Sequence, residues 1–172
     1  LLIIKNIDNV QHIQKSKSAI RSFQYLSGIV VYAQDKLFKA ISSLKNEDRH
    51  AAIQTIIELN DEFQLYHRSI DIQELENDDL FELLNRPIRV CGMVVNEGQL
   101  GGGPYWVLNK NGNISKQIVE KAQISKDKEQ YYKMLKATHH NPVEIVCGLK
   151  NHNQEKFDLS DEYNLKGLEI RK

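Results

Sequence analysis

Pro87 divides this chain into two textures, and the division constrains the fold more than any other feature. Proline has no N–H and a fixed φ, so a helix cannot run through it undisturbed. Before it, apolar residues recur with helical spacing. Ile20, Phe23, Leu26, Val30, Leu37, Ile41 and Leu44 predict one helix over about 15–45. Ile53, Ile56, Ile57, Phe63 and Tyr66 predict a second, with Asn46 as its cap and Glu47 and Asp48 complementing its N-terminal dipole. Leu75, Leu80, Phe81 and Leu84 predict a third, acidic one over about 73–84. Gly28 inside the first helix predicts a close packing contact there, since glycine otherwise weakens a helix.

After Pro87 the pattern is that of strands. Ile88 to Val95, Pro104 to Leu108, Gln117 to Ile124 and Val143 to Leu149 are short apolar or β-branched runs, and a last one begins near Gly167. Gly98, Gly101, Gly102 and Gly103 make a glycine-rich loop, and Asn111-Gly112 marks a turn. Asp127 with Gln130 predicts a capped helix over 128–136. Residues 1–5 form one more strand, apolar throughout in the manner of a central parallel strand. The expectation is an α/β chain: a single domain over 1–172, with a helical segment at 11–84 and a strand-rich segment at 85–172. Position 1 is Leu and the first four residues are all apolar, so the chain is expected to be a piece of something longer.

Composition narrows the function classes. There are 23 Lys+Arg and 23 Asp+Glu, a formal net charge of zero, which gives no global attraction to nucleic acid or anionic lipid. No apolar run approaches the roughly 18 residues of a membrane span. Two cysteines, Cys91 and Cys147, are too few for a disulfide scaffold and point to a cytoplasmic setting. Both fall in apolar strands, which argues against a thiolate nucleophile.

Four places could carry chemistry. Asn6-Ile7-Asp8-Asn9 follows the opening strand, where α/β folds place ligands; Asp8 there could hold magnesium, or the group could simply make a turn. Gly92 and the glycines at 101–103 allow a backbone to approach a ligand closely, or make a plain hairpin connection. Glu120 stands among apolar residues, facing either solvent or a polar site. Asn141, held extended before Pro142, could present its amide to a ligand or cap a turn. The neighbouring His139 and His140 do not share a strand face and make a poor zinc pair.

The order of these blocks resembles the second half of the catalytic core of the UDP-sugar pyrophosphorylases. Their Asn-x-Asp-Asn strand end is matched by Asn6-Ile7-Asp8-Asn9, their Gly-x-Val strand by Gly92-Met93-Val94, their Val-Val-Glu-Tyr strand by Ile118-Val119-Glu120-Lys121, and a Phe-Asn-x-Asn segment loosely by His140-Asn141-Pro142. A closer resemblance is to an uncharacterised bacterial domain-of-unknown-function family (number 4301). It is carried by Ile4 to Val10, Asn85 to Val94, the block Gly101-Gly102-Gly103-Pro104-Tyr105-Trp106-Val107, and Ala137 to Val143. It covers nearly the whole chain.

The resemblance implies a mixed, mostly parallel sheet of the nucleotide-diphospho-sugar transferase (GT-A-like) type with a helical insertion. It implies a nucleotidyltransferase fragment: sugar 1-phosphate plus nucleoside triphosphate to nucleotide sugar plus pyrophosphate, with Mg2+ as cofactor. The alternative is a non-catalytic sugar-nucleotide-binding module or an interaction domain of the same fold. Asp8 would be the catalytic metal ligand. Asn6, Asn9, Gly92, Gly101, Gly102, Gly103, Glu120 and Asn141 would bind substrate. The partner would be a nucleoside triphosphate or nucleotide sugar, not nucleic acid or membrane. Lys121 stands where the pyrophosphorylases have an aromatic, and Pro142 between positions they give to asparagine. Their base- and triphosphate-binding loop follows an earlier strand than any present here, so this chain alone is expected to be inactive.

Overall fold

The computed structural model describes residues 1–6, 17–98, 102–108, 114–125, 127–159 and 169–171. Its elements are β1 (Leu2–Lys5), α1 (Lys17–Lys45), α2 (Arg49–Phe63), α3 (Asn77–Leu84), β2 (Ile88–Cys91), β3 (Val94–Val95), β4 (Gly103–Leu108), β5 (Ile114–Val119), a 3-10 turn (Lys121–Gln123), α4 (Lys128–Leu135), β6 (His139–His140), β7 (Glu144–Gly148) and β8 (Glu169–Arg171).

The three helices before Pro87 form one apolar unit. Leu37, Ala40 and Ile41 of α1, Ile53, Ile56 and Leu59 of α2, and Leu80 and Leu84 of α3 bury one shared core with Ile72. Capping sets the helix starts. Asp48, not Asn46, caps α2 by accepting from the Ala51 N–H at 3.0 Å. Glu47 before it takes a left-handed backbone, φ 61°, in the tight link from α1. Asp127 caps α4 as the sequence predicts, accepting from the Glu129 and Gln130 N–H groups. Gly28 does not fulfil its expectation. A methyl placed on it would meet nothing within 4 Å, so no close contact requires glycine there. Gly28→Ala should therefore stabilise the protein by about 1 kcal/mol, the ordinary helix-propensity difference. Urea unfolding measures it; a loss of stability would mean that α1 packs against something at that face.

Three small sheets carry the rest: β1-β7-β2, β3-β6 and β5-β4-β8. Every pairing among the described residues is antiparallel. A parallel pairing of the expected kind is not among them. The reading of residues 1–5 as a buried central strand needs correcting. β1 lies at the edge of its sheet, with Leu2 46% and Ile3 53% exposed. The reason is the path of α1. Its Leu26 and Val30 pack on Val146 of β7, with Ile88 and Val90 of β2 alongside, so its cover falls on those two strands. Ile88 belongs to this cluster and also touches the three-helix core, which joins the sheet to the helices.

The β5-β4-β8 sheet has its own core of Val107 and Val119 with Ile124. Two polar ties hold it to its surroundings. Lys116 donates to Gln64 Oε1 at 2.9 Å and lies 5.0 Å from the Trp106 ring centroid, while Arg89 of β2 donates to Gln117. The predicted strand over 88–95 is interrupted at Gly92 and Met93, and that over 117–124 runs instead from 114 to 119. Both departures shape the site.

Candidate functional site

The turn Asn141-Pro142-Val143, between β6 and β7, is where the sequence-flagged residues meet. Asn141 is 5% exposed and uses both ends of its amide. Its Nδ2 donates to the Gly92 carbonyl at 2.7 Å, and its Oδ1 accepts from the Val143 N–H at 2.9 Å. Its backbone N–H donates to the Gly102 carbonyl at 2.8 Å. One asparagine thus fastens the break between β2 and β3 to the start of the glycine block. An extended residue before proline has its side chain free for such work.

The other residues attach around this turn. The Asn6 N–H, just past β1, donates to the Val143 carbonyl at 3.3 Å. Glu120 follows β5 directly and is exposed, and its N–H donates to Gln123 Oε1 at 2.8 Å at the start of the 3-10 turn. A methyl on Gly102 would sit 2.5 Å from a Glu120 carboxylate oxygen and 2.9 Å from Ile118 Cγ2, so glycine is what lets Glu120 lie there. Gly103 is likewise packed. A methyl on it would fall 2.7–2.9 Å from Tyr105 ring atoms, and the Tyr105 hydroxyl donates to the Met134 carbonyl. Asn6, Gly92, Gly102, Glu120 and Asn141 are therefore brought together, with Gly103 at the neighbouring strand start. Asp8, Asn9 and Gly101 lie outside the described residues.

Val143 holds a left-handed backbone at φ 61°. For a β-branched residue that conformation costs on the order of 1–3 kcal/mol. It is held by the bonds to Asn141 Oδ1 and Asn6 N. Val143→Asn, which tolerates this backbone, should raise the melting temperature by roughly 2–4 °C, about 1 kcal/mol for a chain of this size. A fall would show that the half-buried valine side chain contributes more by packing than the strain removes.

Sequence reasoning missed a charged pair beside this turn. Lys5 and Glu144 face each other across β1 and β7, Nζ to Oε1 2.6 Å, with side chains only 20% and 22% exposed. The Lys5 ammonium also lies 5.3 Å from the Phe23 ring centroid. The Gly92 N–H donates to the Glu144 carbonyl at 2.7 Å, placing the pair against Gly92. The available signal was one lone charge at an end of each apolar strand, the same signal that singled out Glu120.

Both thiols are free, and burial pushes each of them up from its ordinary pKa, partly offset by Arg89. Among the described residues no three His, Cys, Asp or Glu side chains are grouped to hold a metal ion, and no helix is long and apolar enough to cross a membrane.

Fold and site define a mixed α/β protein whose polar patch is built from strand ends and one clamped turn. The chain belongs to the family described as Domain of unknown function (DUF4301), whose model matches residues 1–170. No curated protein and no solved structure matches it.

Proposed function

We propose that this chain supplies the sugar-phosphate side of a nucleotidyltransferase site, on a domain of the nucleotide-diphospho-sugar transferase type. The observation that carries the reading is the convergence of Asn6, Gly92, Gly102 and Glu120 on the Asn141 turn, from chain positions up to 135 apart (Asn6 to Asn141). Those residues were selected by motif order, and the register of β1 and β2 on β7, and of β4 on β5, is what sets them side by side.

In the reaction, an oxygen of a sugar 1-phosphate attacks the α-phosphorus of a nucleoside triphosphate. The new P–O bond forms as the bond to the β-phosphate breaks, and pyrophosphate leaves with the electron pair. Asp8 would hold magnesium, which needs only one or two carboxylates besides phosphate and water, and which offsets charge on the phosphate oxygens. The protein's share is positioning. Glu120 is exposed and can accept from sugar hydroxyls. Gly92 gives room for a ligand against backbone. Asn141, its amide already engaged, acts by holding Gly92 and Gly102 in place.

The test is pyrophosphate release from a nucleoside triphosphate and a hexose 1-phosphate with Mg2+, in a protein that also carries the base- and triphosphate-binding loop, alongside calorimetric titration with nucleotide sugars. Release supports the transferase. Binding without release selects a non-catalytic sugar-nucleotide module. That second reading is favoured by Lys121, which replaces an aromatic surface and rests 5.4 Å from the Tyr131 ring centroid. Neither binding nor release removes both.

A further inference from the structure

We infer that Glu144, steered by Lys5, accepts hydrogen bonds from the hydroxyls of the sugar beside Gly92, an inference that rests on the reading just proposed. Glu144 Oε1 is taken by Lys5, at 2.6 Å. Its other oxygen, Oε2, has no hydrogen-bond partner among the described residues and lies 3.6 Å from where a Gly92 side chain would begin. A methyl at that point would also lie 3.3 Å from Glu144 Cβ, tighter than ordinary contact. The absent side chain thus lets the Gly92 backbone lie close against Glu144, on the side of Oε2.

An ionised carboxylate accepts only, and a polyhydroxylated ring donates. The Lys5 bond takes one oxygen and fixes the rotamer, so the second oxygen is presented without further loss of freedom on binding. Its exposure is low enough that water screens it incompletely, which strengthens a charge-assisted bond. Glu120, by contrast, is exposed, and among the described residues no cation pairs with its carboxylate. Of the two acids at the turn, Glu144 is the one with a fixed direction.

The experiment compares sugar preference. The full chain is titrated with UDP-glucose, UDP-N-acetylglucosamine and GDP-mannose, and with UDP and GDP, in the presence of Mg2+. The preferred nucleotide sugar should bind more tightly than its nucleoside diphosphate. In Glu144→Gln that preference should fall about ten- to a hundredfold, the worth of a hydrogen bond to a charged group, while nucleoside diphosphate affinity stays the same. Lys5→Met should lower the preference by a smaller factor, and Lys5→Arg should restore it. Gly92→Ala, whose methyl would press on Glu144 Cβ beside Oε2, should lower it too, and it decides the matter if Glu144→Gln does not fold. Preference unchanged in Glu144→Gln and Gly92→Ala, with the unaltered chain still binding, overturns the role of Glu144 alone. No nucleotide sugar bound by the unaltered chain overturns the underlying reading with it.

Discussion

Asn141→Ala is expected to destabilise the protein by about 2–4 kcal/mol, the larger of its stability effects. The substitution removes an amide whose two ends are both bonded, to the Gly92 carbonyl and the Val143 N–H. Each partner is left without its bond in a half-buried place, and an unsatisfied buried group costs about 1–3 kcal/mol. The effect should not stay local. The Val143 backbone is strained, and the lost bond is one of those that hold it. A melting temperature lower by roughly 5–15 °C follows for a chain of this length. Thermal and urea unfolding read it directly. Asn141→Asp should lose nearly as much: it keeps the acceptor for Val143 but sets a carboxylate against the Gly92 carbonyl. A change below about 0.5 kcal/mol in both variants would mean that water replaces the amide and that Asn141 is not the clamp.

Asp8→Ala is expected to abolish magnesium-dependent pyrophosphate release, by more than about a hundredfold, with the fold intact, in a protein that also carries the base- and triphosphate-binding loop. Asp8 is the carboxylate of the Asn6-Ile7-Asp8-Asn9 block, and Asn6 is bonded to the Val143 carbonyl at the site turn. On the proposed reading its loss removes the charge that holds the metal against the phosphates, and nothing in the Asn141 turn substitutes for it. The assay is pyrophosphate release over a magnesium titration, with nucleotide-sugar affinity measured beside it. Release lost while binding persists is the expected pattern. Unchanged turnover would take Asp8 out of the mechanism.

Much of the local structure was legible in the residues. The helices before Pro87 follow from three- and four-residue spacing, and α4 follows from its Asp127 cap, because both signals act within one or two turns. Where local signals misled, a distant partner was responsible. The run Ile88 to Val95 looks continuous, but the Gly92 N–H turns to the Glu144 carbonyl and its own carbonyl to Asn141, which breaks the strand. Residues 1–5 look central because the first four are all apolar, yet a strand's neighbours are chosen by register and by the helix above. Here α1 lies over β7 and β2. Gly28 looks like a packing glycine, yet it is exposed and faces open space.

The candidate site divides the same way. Residue type and order along the chain singled out Asn6, Gly92, Gly102, Glu120 and Asn141 without showing that they touch. Lys5 and Glu144 each carried the signal that singled out Glu120, a lone charge beside an apolar run, but nothing in their spacing paired them. Sequence by itself determined which segments are helix and strand and which polar residues interrupt apolar runs, since those depend on near neighbours. Only the tertiary structure decided that Asn141 clamps two loops, that Gly102 and Gly103 are glycines for want of space, and that Lys5 aims Glu144 at Gly92. Those facts rest on atoms brought within about 3–4 Å from far along the chain, and spacing in sequence carries no measure of such distances.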